Sequence, residues 1–190
     1  MKKLFRFVFS TLKAFILPGW MKSLIEIISE ISCSFRTIPA PEEKPAEPES
    51  VSPLMDFVSR YEGRNIDFDG FFGYTCVDLV RQYFQEVWKI PQPEPTGDAG
   101  AAAFYVKHGS RPIQARHLDL ITYNPRMVPP DGAVIVFRGT ETNRFGHIGI
   151  CVNADERGIN LFEQDGFRQS PAAIRRWDYG RVLGWLAVRR

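Results

Sequence analysis

Thr75-Cys76-Val77-Asp78 stands at the start of the strongest helical pattern in the chain. Thr75 and Asp78 have the three-residue spacing of a short-chain capping box, which places Cys76 in the first turn of the helix it opens. Unpaired amide N–H groups and the helix dipole favour a thiolate over a thiol there, so Cys76 is a candidate nucleophile. The alternative is a small cysteine buried as core filler. Two further residues weigh against that alternative. The run Gly146-His-Ile-Gly-Ile-Cys-Val152, then Asn153 to Arg157, then Gly158-Ile-Asn-Leu-Phe-Glu163 has the pattern of a hairpin with a five-residue connection. If Val152 pairs with Gly158, His147 falls opposite Glu163, and a carboxylate beside an imidazole orients it and stabilises its charged form. A one-residue slip would turn the two side chains to opposite faces.

The other cysteines and histidines fit this chemistry less well. Cys151 shares a strand face with His147 but has no helix terminus to activate it, so it reads as core filler. Cys33 lies far upstream, and His108 and His117 sit in or beside charged, loop-like sequence as surface residues. Three cysteines cannot all pair within one chain, no C-x-x-C occurs, and the histidines lack zinc-ligand spacing. Neither a disulfide framework nor a structural zinc site is expected.

The elements that must position these groups follow from the patterning. A content of 44% hydrophobic residues with 13% aromatics supports a packed core, and a net charge of +2 provides no field that would favour nucleic acid as a partner. Apolar spacing predicts helices over 54–61 and 77–88, and β-rich runs predict strands over 133–137, 147–152, 158–162 and 182–188. Helices before strands imply an α+β domain with an antiparallel sheet, spanning 54–190. Residues 34–53 form a Pro/Glu-rich linker. Residues 1–33 form a separate basic, apolar segment of two amphipathic helices broken at Pro18-Gly19. Its charges interrupt every run long enough to span a bilayer. It suits a membrane surface, packing on this protein or a sister subunit, or, less well, a cleaved signal, and the surface reading is favoured.

Four motifs in order, Asp67-Phe-Asp-Gly-Phe-Phe-Gly-Tyr-Thr-Cys-Val-Asp-Leu79, Pro130-Asp-Gly-Ala-Val-Ile-Val-Phe137, Gly146-His-Ile-Gly-Ile150 and Phe162-Glu-Gln-Asp165, resemble the landmarks of CHAP domains. These are papain-like cysteine amidases and endopeptidases of bacterial and phage origin. The resemblance implies a papain-like fold with N-terminal helices packed on the sheet. It further implies that Cys76 attacks a peptidoglycan amide, His147 takes its proton and Glu163 orients His147. Asp165 stands where the family often carries an asparagine that positions the histidine, and Thr75 where a glutamine often precedes the nucleophile.

Asp67, Asp69 and Asp78 also suit a hard cation, since Asp-x-Asp-Gly offers two oxygen ligands on a tight turn and Asp78 a third. In calcium-binding lysins of the family the matching places are Asp67, Asp69, a backbone carbonyl at Phe71, and Asp78, with Gly73 where a further side-chain ligand can occur. The alternative is a turn plus a helix cap, and the chemistry itself requires no cofactor. The expectation is therefore an endolysin-like peptidoglycan hydrolase, an N-acetylmuramoyl-L-alanine amidase or an endopeptidase, phage-encoded or exported and acting at the cell wall. A membrane surface or a virion is the further partner considered for residues 1–33. The competing readings are a non-catalytic structural or wall-binding protein on the same scaffold, and a transferase or protease acting on protein amides.

Overall fold

Pro53, which ends the linker in the sequence reading, is instead the first residue of a helix in the computed structural model, which describes residues 51–189. The expectations for residues 1–33 and for nearly all of the linker lie outside the described residues. In helix α1 (Pro53–Tyr61) the Ser52 hydroxyl accepts the Met55 amide at 3.2 Å, and proline's missing N–H is no loss at the first helical position. Helix α2 (Cys76–Tyr83) continues as a wider π-helical turn, Phe84–Trp88, and stops at Lys89 in a left-handed conformation. Shorter helical pieces follow, among them α3 (Ala103–Val106) and α4 (Pro112–His117).

Six strands form one sheet: β1 (Leu118–Thr122), β2 (Val134–Phe137), β3 (His147–Asp155), β4 (Gly158–Asp165), β5 (Ser170–Trp177) and β6 (Val182–Val188). Their order is β1-β6-β2-β3-β4-β5, and every neighbouring pair is antiparallel. The domain is α+β, as the sequence leads one to expect, but β1 and β5 were not among the expected strands. Alternation along the strands divides the interior into two cores. On one face Val134, Val136, Ile148, Ile150 and Phe162 pack against Leu79, Val80 and Tyr83 of α2 and Phe57 of α1. The Phe57 ring meets the Tyr83 and Phe162 rings edge-on at 5.2 and 6.2 Å. On the other face Ile135, Phe137, Cys151, Ile159, Leu161 and Trp185 form the second core. Among the described residues no helix is long and apolar enough to cross a membrane.

The β3–β4 hairpin differs from its expected register. Asp155, not Val152, pairs with Gly158, and only Glu156 and Arg157 connect the strands. The Asp155 carboxylate closes this turn by accepting the amides of Arg157 at 2.8 Å and Gly158 at 3.0 Å. Near the tip Asn153 faces Asn160, but beyond a bulge at Val152 Cys151 faces Leu161 and Ile150 faces Phe162. That one extra residue sets Glu163 beside Gly149, where a Cβ built on the glycine would lie 2.9 Å from the Glu163 Cβ. His147 is thus a diagonal rather than a direct neighbour of Glu163, but the two share a face.

Candidate active site

Cys76 is the first residue of α2 and is partly buried. The Asp78 carboxylate accepts the Thr75 amide at 2.8 Å and the Thr75 hydroxyl at 2.6 Å, and it takes the Phe68 amide at 3.3 Å from the preceding loop. The helix start is also held from the sheet. Gln164, fully buried on β4, donates from Nε2 to the carbonyls of Ile66 and Thr75, both at 2.6 Å, and accepts the Ile66 amide at 2.9 Å. Tyr74 and Thr75 cross the end of β4 directly over Gly166, where any Cβ would collide with the Tyr74 carbonyl. A glycine is needed there for the helix start to reach around the strand end.

His147 opens β3 after Gly146, whose φ of 75° and tight seat against the Phe137 carbonyl exclude a side chain. Its imidazole is 5% exposed and stacks on Trp177 of β5 with centroids 5.0 Å apart and planes inclined by 15°. Cys76 lies close enough for its charge and its thiol to act on the imidazole. Nε2 stands 3.1 Å from Oε2 of Glu163, as close as an ion pair although off the hydrogen-bond axis. Burial pulls the imidazole pKa down, but the charge and hydrogen bond of Cys76, followed by those of Glu163, outweigh it and hold the value up at about 10. Glu163 is 1% exposed. Burial pushes its pKa up, yet His147 and then Arg175 bring it below the usual carboxylate value. Arg175 of β5 donates to Oε1 at 2.7 Å. The structure therefore joins a helix-start thiol, a buried imidazole and a buried carboxylate in one chain of contacts, which suits nucleophilic attack on a carbonyl with proton return to the leaving group.

Asp165 does not join that chain of contacts. Its Oδ1 accepts the amides of Phe167 and Arg168 at 2.9 and 3.2 Å, so the carboxylate is engaged in the turn after β4. His108 is half-buried and contacts the Gln114 amide, and His117 ends α4; neither is placed with Cys76. Cys151 is fully buried in the second core, where burial pushes its thiol up to about 12. Sequence reasoning missed Gln164, Arg175 and Trp177.

The acidic trio does converge. Ligand oxygens of Asp67, Asp69 and Asp78 lie within 4.8 Å of one another. Asp67 and Asp69 each use one oxygen on a local amide, of Gly70 and Phe71, and keep the other free. Asp78 is buried, and burial first and the nearby Asp69 after it raise its pKa, a cost that a cation would relieve. The donor set thus fits a hard cation, with the Phe71 backbone beside it in the same loop.

The imidazole–carboxylate pair makes stability depend on pH. His147 is raised from 6.5 to about 10, so its contribution is complete below 6.5 and is lost as pH rises through 10. Glu163 is lowered from 4.5, so its contribution is complete above 4.5 and is lost as pH falls. The gap in thermal midpoint between wild type and Glu163→Gln should therefore open as Glu163 ionises, stay wide while His147 is charged in both proteins, and narrow toward pH 10. Thermal melts across that range check it, and a gap that does not change with pH would contradict the pairing.

No protein-family model matches the chain, and no curated protein matches it. Solved structures share its fold. The endolysin LysIME-EF1 is 19% identical with a TM-score of 0.52, over 72% of this chain and 64% of that one. Ly7917, solved with the hydrolyzing product of MDP, is 17% identical with a TM-score of 0.55, over 73% of this chain and 62% of that one. Ly7917 solved alone is 16% identical with a TM-score of 0.54 over the same shares. The chain spans less than two thirds of the length of these proteins, and at such identities the likeness is one of fold.

Proposed function

We propose that the chain is a peptidoglycan hydrolase that cleaves an amide through a Cys76–His147–Glu163 thiol mechanism. The observation that supports it best is the meeting of these three side chains at a helix start and a strand end, in a fold shared with endolysins. With Nε2 directed at Glu163, the other ring nitrogen of His147 holds the proton taken from Cys76. The thiolate adds to the amide carbonyl carbon, and the developing oxyanion is met by the Cys76 backbone N–H at the helix start. Collapse breaks the C–N bond, His147 returns the proton to the departing amine, and a thioester remains. His147 then takes a proton from water, whose oxygen attacks the thioester and releases a carboxylate and the thiol. A lactyl–L-alanine amide and a peptide bond of the stem or cross-bridge are both open to this chemistry. The experiment is digestion of purified peptidoglycan by the full chain, with mass spectrometry of the fragments. New termini name the bond as that of an amidase or an endopeptidase, whereas no release from walls of several bacteria would favour a non-catalytic scaffold.

The same reading includes Ca²⁺ held by Asp67, Asp69, the Phe71 carbonyl and Asp78. Bound there, the ion would neutralise the trio and stiffen the loop leading to Cys76 without entering the reaction. If the site binds in the range of extracellular modules, ~10 mM Ca²⁺ should stabilise the fold by about 1.5–2.5 kcal/mol. Thermal melts with calcium and with chelator test this. Asp69→Asn should remove the response, and a wild-type midpoint indifferent to calcium would overturn the assignment.

A further inference from the structure

We propose that Arg175 is a positioning residue for the catalytic base: it holds one oxygen of Glu163 so that the other meets His147, and it keeps that carboxylate ionised. The inference rests on the Cys76–His147–Glu163 reading but extends it to a residue on a different strand. β4 and β5 pair Glu163 with Ala173 and Leu161 with Arg175, so Arg175 reaches Glu163 along the diagonal on a shared face. Its Nη1 donates to Oε1 at 2.7 Å and to the Glu163 carbonyl at 3.1 Å, and its Nη2 donates to the Pro171 carbonyl at 3.1 Å. Three contacts from one planar fork fix the guanidinium, and through it the plane of the carboxylate. With Oε1 so held, Oε2 lies 3.1 Å from Nε2 of His147.

The carboxylate has little other support. It is 1% exposed, and Oε2 has no aligned hydrogen bond. The charged and titratable groups that act on it are His147 from β3 and Arg175 from β5, with Cys76 of α2 beyond the imidazole. Asp165, two residues along β4, is turned to the amides of Phe167 and Arg168. A buried carboxylate left with only an imidazolium would take up a proton more readily, and the neutral acid cannot stabilise the charged base. Arg175 therefore extends the acidic end of the working range without touching substrate.

The test compares wild type, Arg175→Gln and Arg175→Lys in the full chain by two readouts. The first is the rate of fragment release from purified peptidoglycan against pH. The second is the Nε2–H resonance of His147 in protein labelled with ¹⁵N-histidine, in which only His108 and His117 need be told apart from it. Arg175→Gln should move the acid limb up by about one pH unit, so that release below the limb falls about tenfold while the plateau changes far less. The His147 resonance should broaden away about one unit higher as well. Arg175→Lys keeps the charge but not the three-point hold, so its limb should stay in place and its plateau should fall about threefold.

An Arg175→Gln profile that coincides with wild type in both readouts overturns the proposal. Should that variant fail to fold, Arg175→Lys decides: rates equal to wild type at every pH overturn it, and a lowered plateau on an unmoved limb supports it. The resonance needs no substrate. If peptidoglycan is not cleaved but the resonance shifts as expected, the hydrolase reading fails and the role of Arg175 stands; cleavage with an unmoved limb and resonance is the reverse.

Discussion

Cys76→Ala is expected to lower fragment release from peptidoglycan by about 10⁴-fold or more while leaving the fold intact. Under the proposed mechanism Cys76 is the nucleophile, so its deletion removes the covalent route outright and leaves binding and the oxyanion donor acting on a water attack. The structural cost is small, because Cys76 is only partly buried and sits at the edge of the first core rather than within it. The loss of one sulfur there should change stability by about 1 kcal/mol or less. His147 loses the group that contributes most to holding its proton, so the variant's imidazolium should also deprotonate at a lower pH. Fragment release by mass spectrometry together with a denaturation curve separates the two effects. A variant that keeps a tenth of wild-type activity would mean that the chemistry lies elsewhere.

Gln164→Leu should damage both stability and rate. Gln164 is fully buried, and its amide satisfies both backbone groups of Ile66 and the carbonyl of Thr75, which are themselves part-buried. Leucine has a similar volume but leaves those three groups without partners, each at about 1–3 kcal/mol, with part of the loss recovered by relaxation. A net loss of about 3–4 kcal/mol is expected in chemical denaturation. The Thr75 carbonyl belongs to the same peptide unit as the Cys76 N–H. Its release lets the oxyanion donor and the nucleophile turn together, which should cost about 10²-fold in rate in the protein that remains folded. Stability equal to wild type would show that the loop is held from elsewhere.

The sequence displayed the chemistry better than the support for it. Cys76 was legible because capping is a local code, with both members of the Thr75–Asp78 pair within three residues. His147 and Glu163 were legible because the expected and observed registers of the stem differ by two residues, which keeps the same face: the pairings differ, yet the two side chains meet. The two-residue turn was hidden because Asn153 to Arg157 looks like loop, whereas its first half continues the ladder. Strand β5 was missed because Ala172-Ala-Ile-Arg-Arg-Trp177 places two arginines side by side. Only the structure shows that Arg175 turns inward to a carboxylate while Arg176 turns outward to Asp155. β1 is five residues long and starts where α4 ends, so no turn residues announce it. Gln164 could not be identified at all, because its partners lie about a hundred positions upstream and are backbone atoms. The role that the resemblance suggested for Asp165 did not anticipate the turn that occupies it.

The bulge at Val152 makes strand register itself part of the proposed site. Glu163 and Gln164 are adjacent and of nearly equal shape, and they point to opposite faces, one to the base and the other to the loop that carries the nucleophile. Were the tip register to run on to the strand end without the bulge, the two would exchange, and His147 would share a face with Gln164. The imidazole would then meet a neutral amide and the loop carbonyls a carboxylate, every side chain still present and none in its working phase. The face that His147 presents to β4 is thus set at Val152, at the far end of the buried stem from the imidazole it places.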